Sequence, residues 1–343
     1  MAWLRCKKVH TLITLFCLVT LFCLIMYLLK HPFFLRGPSL NATTAPCGCQ
    51  RCILDQKGDS WFGERFNQSI HPLMSRSNSE LSNDTYRWWL LLQDETNPAS
   101  LSMVLDKLFK IIPGDERYMD AGPSRCRSCS VVGNSGNLRS SNYGSLIDSS
   151  EFVIRINQAP TRGFEQDVGY RTTHHVMYPE SAIDLPNPKV SLLLIPFKTL
   201  DLEWLTSTFT TAHINYTYMP VPTRIKANRN NVLLYNPAFM KYVHESWMEN
   251  HGQYPSTGFL TIVLALHICD QVNVFGFGAN QNGDWHHYWE EEELNSAFKE
   301  TFVHHAVYEH DLTQKLYQQG KITFYKGVQA SSVKAPPETQ TFG

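Results

Sequence analysis

Apolar residues recur along this chain in two rhythms. Over residues 84–112, Trp88, Trp89 and Leu92, then Leu101, Val104, Leu105, Leu108 and Ile111 return every three or four positions. That is the spacing of one helix face, and it predicts helix across the segment. Past Cys129 the texture changes to short apolar runs closed by Gly or Asn. Ser130-Val131-Val132-Gly133, Phe152-Val153-Ile154-Arg155-Ile156, residues 190–196 and residues 272–276 read as strands buried on both faces, as parallel strands are. Helices are expected between them, one over 259–269 and another opening within 303–310. Strands alternating with helices predict an α/β fold built on a doubly wound, mostly parallel, Rossmann-like sheet, with its ligand crevice at the strand carboxyl ends.

The N-terminus follows neither rhythm. Residues 11–29 are nineteen uncharged positions rich in Leu, Phe, Ile and Val, just long enough to cross a bilayer as a helix. Arg5, Lys7 and Lys8 precede them, which predicts a cytosolic arm. A cleaved signal peptide is the competing reading, but His31-Pro32-Phe33-Phe34 follows where a small-x-small cleavage site would stand. The expected organisation is a cytosolic tail over 1–10, a transmembrane signal anchor over 11–29, a stem over 30–46, a lumenal catalytic domain over 47–327 and a polar tail over 328–343.

Composition narrows the class. Lys and Arg total 30 against 31 Asp and Glu, and 43% of residues are hydrophobic, so extensive disorder is excluded and nucleic-acid binding lacks its basic footprint. The chain holds 8 Trp, 15 Tyr and 14 His, side chains suited to stacking, hydroxyl recognition and proton transfer. Asn41, Asn67, Asn83 and Asn215 head Asn-x-Ser/Thr sequons, which count only in the secretory pathway. Cys47, Cys49, Cys52, Cys126, Cys129 and Cys269 lie beyond the expected membrane span. Their even number in an oxidising compartment favours disulfides, while the two Cys-x-x-Cys spacings leave zinc as the alternative.

Three segments carry candidate chemistry. Val131-Val132-Gly133-Asn134-Ser135-Gly136-Asn137 is a strand that breaks into a small-residue loop, able to bring backbone N–H groups to a phosphate or ribose, or to serve only as a turn. It is neither a GxGxxG nor a P-loop, and Asn157 at the end of the next strand supplies a second amide. Pro255-Ser256-Thr257-Gly258 opens a helix, with hydroxyls that can cap it or seat an anion. His286-His287 and His304-His305, with His310, have poor spacing for zinc; a neutral His can serve as a base near pH 7, and two of these five are expected to do chemistry. No Asp-x-Asp occurs anywhere, so the carboxylate pair that holds a divalent cation on a sugar-nucleotide diphosphate is missing. A nucleoside monophosphate leaving group fits that absence.

Cys129 to Thr173, Tyr254-Pro255-Ser256-Thr257-Gly258 through Gly278, His287-Tyr288-Trp289-Glu290, and His304 with Glu309 resemble, in order and spacing, the long, short, third and very short motifs of the animal sialyltransferases. The likeness runs from about Cys47 to Gly327. The Trp88-Trp89 segment and Asn157-Gln158-Ala159-Pro160-Thr161 are most similar to the β-galactoside α2,3-sialyltransferases acting on Galβ1,3GalNAc, type 1 before type 2. The resemblance implies a GT-A-like variant of the sheet and inverting, metal-free transfer of sialic acid from CMP-sialic acid to a galactose 3-hydroxyl on O-glycans and glycolipids. It also implies a Golgi type II membrane protein, also secreted after stem cleavage. It makes His304 the catalytic base and sets His287 on the CMP phosphate. It puts Asn134, Asn157, Tyr178, Ser256, Thr257, Gly258 and Gly278 on the donor, and Gln93, Tyr218 and Tyr254 at the acceptor. The implied disulfides are Cys47–Cys52, Cys49–Cys126 and Cys129–Cys269. His305 departs from the family, which carries Asp after the base. The alternatives are a sialyltransferase of different acceptor or linkage, or a non-catalytic membrane-tethered lectin.

Overall fold

The computed structural model describes residues 46–55, 60–93, 95–279, 286–290 and 303–327, together with Thr20. The expected span at 11–29 (Thr20 apart), the stem up to residue 45, the sequon at Asn41 and the tail from 328 lie outside the described residues.

The elements follow in the order α1 (Ser60–Arg65), β1 (Leu73–Met74), α2 (Asn83–Leu90), α3 (Leu101–Leu108), β2 (Ser128–Val132), α4 (Gly144–Asp148), β3 (Phe152–Ile156), α5 (Glu165–Val168), β4 (His174–Met177), β5 (Ser191–Leu194), α6 (Thr199–Thr208), β6 (Val232–Tyr235), α7 (Pro237–Tyr242), α8 (Thr257–Ile268), β7 (Gln271–Phe275), α9 (Ala306–Gln318) and β8 (Thr323–Tyr325). They build one sheet of eight strands in the order β1-β6-β5-β4-β3-β2-β7-β8. Every neighbouring pair is parallel except β1 against β6.

The four expected strands form β2, β3, β5 and β7 within a residue or two. β4 and β6 were hidden. β4 begins with His174-His175, a polar signature in sequence, yet all four of its residues are buried. His174 is accommodated by hydrogen bonds to the Tyr118 hydroxyl at 2.6 Å and to Thr173 at 2.9 Å.

The helix expected over 84–112 is two helices. Ser82 caps α2 through the Thr85 N–H at 3.1 Å. The break falls where Asn97 adopts a left-handed φ of 57° and Pro98 follows. A residue before proline is driven out of the helical region, and the break falls in the polar stretch 93–100 between the two apolar groups. Trp89 is fully buried and donates its indole N–H to Pro196 O at 2.8 Å.

α8 is apolar on all sides, the signature of a buried helix, and it packs on β2, β4 and β7. A disulfide from Cys129 in β2 to Cys269, just past α8, ties helix to sheet across 140 residues. Cys47 pairs with Cys52 and Cys49 with Cys126. The six cysteines therefore pair as the resemblance implies, and the zinc alternative is removed.

Candidate active site

From β2 the chain lays successive strands outward through β3, β4, β5 and β6, then returns to the other side of β2 with β7. The order therefore reverses between β2 and β7, and a crevice opens where their carboxyl-terminal loops part. A cavity of about 690 Å³ stands there, a size that suits a small-molecule ligand. Its wall carries every site residue expected from sequence: Asn134, Asn157, Tyr178, Ser256, Thr257, Gly258, Gly278 and His287, then Gln93, Tyr218, Tyr254 and His304.

One wall comes from the loops after β2, β3 and β7. The β2 loop is pinned to the β7 loop by the Gly133 N–H on Phe275 O at 2.8 Å and the Ser135 N–H on Gly276 O at 3.0 Å. Gly276 has φ of 70°, and a Cβ on it would stand 2.5 Å from a Leu138 methyl, so this close approach requires glycine. Asn134 donates Nδ2 to Ile156 O at 3.0 Å. Its Oδ1 is buried with no partner among the described residues, and the residue lines the cavity. Asn157 has the reverse polarity. Its φ of 56° is one that Asn tolerates, its carbonyl accepts from His175, and its Oδ1 accepts from Ser181 at 3.0 Å. The Nδ2 donors are left for a ligand.

The N-terminus of α8 supplies the floor. Ser256 caps it through the Phe259 N–H at 3.1 Å, while Thr257 and Gly258 in the first turn line the cavity. Glu309, from the first turn of α9, accepts from the Ser256 N–H at 2.7 Å and from the Ser256 hydroxyl. Burial pushes the Glu309 carboxyl up to about 7. Helix α9 thus holds the cap of helix α8, a role that sequence alone could not give.

Two histidines on separate segments are held in opposite ways. His304 is bonded through Nδ1 to Tyr254 O at 2.9 Å. A carbonyl only accepts, so Nδ1 carries the proton and the neutral ring keeps its lone pair on Nε2. Burial lowers the His304 pKa, which favours that neutral ring. His287 instead bonds through Nδ1 to the Glu290 carboxylate at 2.7 Å, and its own N–H donates to the other Glu290 oxygen at 2.9 Å. The imidazole lies flat on Trp289, with centroids 4.5 Å apart, and its Nε2 is unused by these contacts. Burial works against Glu290 ionising, but the His287 hydrogen bonds outweigh it and hold the carboxyl below its ordinary range.

His305 and His310 read as bystanders in the sequence, and the structure separates them. His305 accepts the Tyr308 N–H at 3.2 Å and caps α9, work that an Asp would also do. His310 lines the cavity beside Gly278, with its Nδ1 unpartnered among the described residues. His286, one of the five candidate histidines, also lines the cavity, whereas Phe197, Phe277 and Lys198 escaped the sequence reading. Only Lys198 left a signal, a cation directly after a buried apolar run. Among the described residues no three His, Cys, Asp or Glu side chains group as metal ligands.

Comparison with known proteins agrees with this geometry. The sequence profile of glycosyltransferase family 29 (sialyltransferase) matches residues 73–321. CMP-N-acetylneuraminate-beta-galactosamide-alpha-2,3-sialyltransferase 1 of Gallus gallus is 51% identical over 283 residues, 82% of either chain. The type 1 protein of Homo sapiens and the type 2 protein of Mus musculus are each 49% identical, over 82% of this chain and 83% and 80% of their own, so identity does not separate the two types. A crystal structure of a mammalian sialyltransferase in complex with Gal-beta-1-3GalNAc-ortho-nitrophenol superposes with a TM-score of 0.77 at 48% identity, covering 82% of this chain and all of that one. The chain belongs to glycosyltransferase family 29, the sialyltransferases.

Proposed function

We propose that this enzyme transfers sialic acid from CMP-sialic acid to the 3-hydroxyl of a terminal galactose in Galβ1,3GalNAc on O-glycans and glycolipids, with inversion and without a metal ion. The observation that carries the mechanism is the pair of histidines in one cavity, one bonded to a carbonyl and one to a carboxylate. In a single displacement the galactose O3 attacks the anomeric carbon of sialic acid as the bond to the CMP phosphate oxygen breaks. Nε2 of His304 takes the O3 proton. His287, carrying protons on both nitrogens, pairs with Glu290 at Nδ1 and donates from Nε2 to the phosphate as its charge grows. CMP leaves with the bonding electrons, and the configuration inverts.

Asn134 and Asn157 offer an acceptor and donors suited to ribose hydroxyls and phosphate. The first turn of α8 at Ser256, Thr257 and Gly258 favours the anion, with Tyr178 and Gly278 completing the donor wall. Gln93, Tyr218 and Tyr254 face the acceptor. A monophosphate leaving group paired with His287 needs no cation, in keeping with the lack of any Asp-x-Asp. Golgi residence as a single-pass type II protein is supported by the uncharged run at 11–29 and by three disulfides. The exposed sequon residues Asn67, Asn83 and Asn215 agree with it.

The test is an assay of the soluble lumenal fragment with CMP-sialic acid and either a Galβ1,3GalNAc or a Galβ1,4GlcNAc acceptor. The first is expected to be the better substrate, with activity unchanged in excess EDTA. Preference for the second acceptor overturns the specificity, and loss of activity in EDTA restored by manganese overturns the metal-free mechanism.

A further inference from the structure

Behind the acceptor wall lies a buried charge cluster. Lys198 follows the β5 segment with its side chain 2% exposed, flanked by Glu180 at 2% and Asp201 at 0%. Its ammonium nitrogen stands 3.0 Å from Asp201 Oδ1, 3.3 Å from Glu180 Oε1 and 2.5 Å from Gln93 Oε1. The ammonium donates to Gln93 and Glu180, and Asp201 adds a buried ion pair. The Tyr218 ring lies 4.8 Å from the nitrogen and closes the open side. The carboxylates are anchored independently of the lysine. Asp201 Oδ2 accepts from the Phe197 N–H at 2.8 Å, and Glu180 accepts from the Thr217 hydroxyl.

A glutamine amide can be turned over with almost no change of shape, exchanging its carbonyl and its NH₂. Here the exchange is forbidden, because turning Gln93 would point N–H groups at an ammonium. Its carbonyl is held on Lys198, and its NH₂ is directed to the Tyr254 hydroxyl at 3.4 Å and to the cavity. We propose that Lys198 is a positioning residue for acceptor recognition, fixing the Gln93 amide so that it offers hydrogen-bond donors, and never its carbonyl, to the acceptor sugar. This rests on the reading of Gln93 as part of the acceptor wall. The matching ligand feature is a sugar oxygen acting as acceptor at that wall.

The test is a double-mutant cycle on the soluble lumenal enzyme with Lys198→Met, Gln93→Ala and the double variant. Each is assayed for acceptor KM, donor KM and kcat, with CMP binding measured by calorimetry. Loss of one hydrogen bond made by or held by a charged group corresponds to about a tenfold change or more. Lys198→Met is expected to raise acceptor KM about tenfold, leaving donor KM and CMP binding within about twofold, and the double variant is expected to match the worse single variant. If Lys198→Met fails to fold, Lys198→Met/Glu180→Gln, which removes an opposite pair together, takes its place in the cycle. A rise for Gln93→Ala alone, or effects that multiply, overturns the role of Lys198 and leaves the acceptor wall standing. An unchanged acceptor KM for Gln93→Ala overturns the acceptor wall itself, and the lysine's role with it.

Discussion

Replacing His304 by alanine removes one ring and one hydrogen bond, while the Ser256 end of the cavity stays bonded through another residue. The ring's partner is the Tyr254 carbonyl at 2.9 Å, and the donor cradle at Ser256 is held by Glu309, so CMP should still find its seat. A positioned base contributes about 10²- to 10⁴-fold, which at about 1.4 kcal/mol per decade is about 3 to 5 kcal/mol of barrier. His304→Ala is therefore expected to lose at least 99% of kcat, written as about two decades or more, while CMP binds within about twofold of wild type by calorimetry. The pH profile gives a second reading. A base acts when neutral, and burial lowers the His304 pKa below its ordinary value of 6.5. The acid limb of kcat/KM should therefore inflect below 6.5, with activity held down to that point and lost as pH falls through it. His305→Ala is the control, since it removes the cap of α9 and should cost about 1 kcal/mol of stability with kcat nearly unchanged. A His304→Ala enzyme that keeps more than about a tenth of kcat, or an inflection well above 6.5, would refute the assignment.

Other expectations are independent of that one. Glu290→Gln keeps the shape beside His287 but removes the carboxylate, so kcat should fall about tenfold or more with acceptor KM unchanged; equal falls in all parameters would point to misfolding instead. Glu309, pushed up to about 7 from an ordinary 4.5 by burial, holds a proton when folded that it lacks when unfolded across that interval. Its contribution to stability is therefore present below 4.5 and lost as pH rises to 7. The Gln variant should gain in Tm relative to wild type between pH 5.5 and pH 7.5 (roughly the span of the shift), whereas Glu309→Ala should lose about 1 to 3 kcal/mol by stranding the Ser256 N–H. The Cys129–Cys269 bridge closes a loop of 140 residues, worth about 5 kcal/mol at most by loop-closure entropy. Serine at either position should sharply reduce secreted, folded enzyme, and undiminished yield and Tm would count against it.

Local pattern announced the strands on either side of the switch point because each holds a short cluster of Val or Phe closed by a glycine. β3 lies where its run of Phe152–Ile156 predicts it. β4 escaped because two histidines head it, and only tertiary partners such as Tyr118 make them acceptable inside. The long helix failed for a local reason that was available, since Asn97-Pro98 is a stop signal inside the polar stretch 93–100 that parts the two apolar groups. In the site, the residues expected at the cavity carried their own signature in amides, hydroxyls and histidines, and they line it. Those that act through another residue did not show what they act on, although Glu309 stood in one of the motifs. Glu309 reaches back 53 positions to Ser256, and Lys198 reaches back 105 to Gln93. His310 looked idle because nothing in its sequence neighbourhood tells that its side of α9 turns toward Gly278.

The two walls of the cavity have different origins. Asn134, Asn157 and Gly278 sit in loops that leave the sheet at its point of reversal, with one of those loops tied down by hydrogen bonds from the next. Gln93 comes from the broken stretch between α2 and α3, and Tyr218 from the irregular segment between α6 and β6. Connections of that kind can change in length and sequence while the sheet stays as it is. On the proposed assignment, the fold separates the choice of acceptor from the handling of the nucleotide. A scaffold of this kind would then be readdressed to other galactosides by rewriting those two connections, with the nucleotide cradle and its pair of histidines kept.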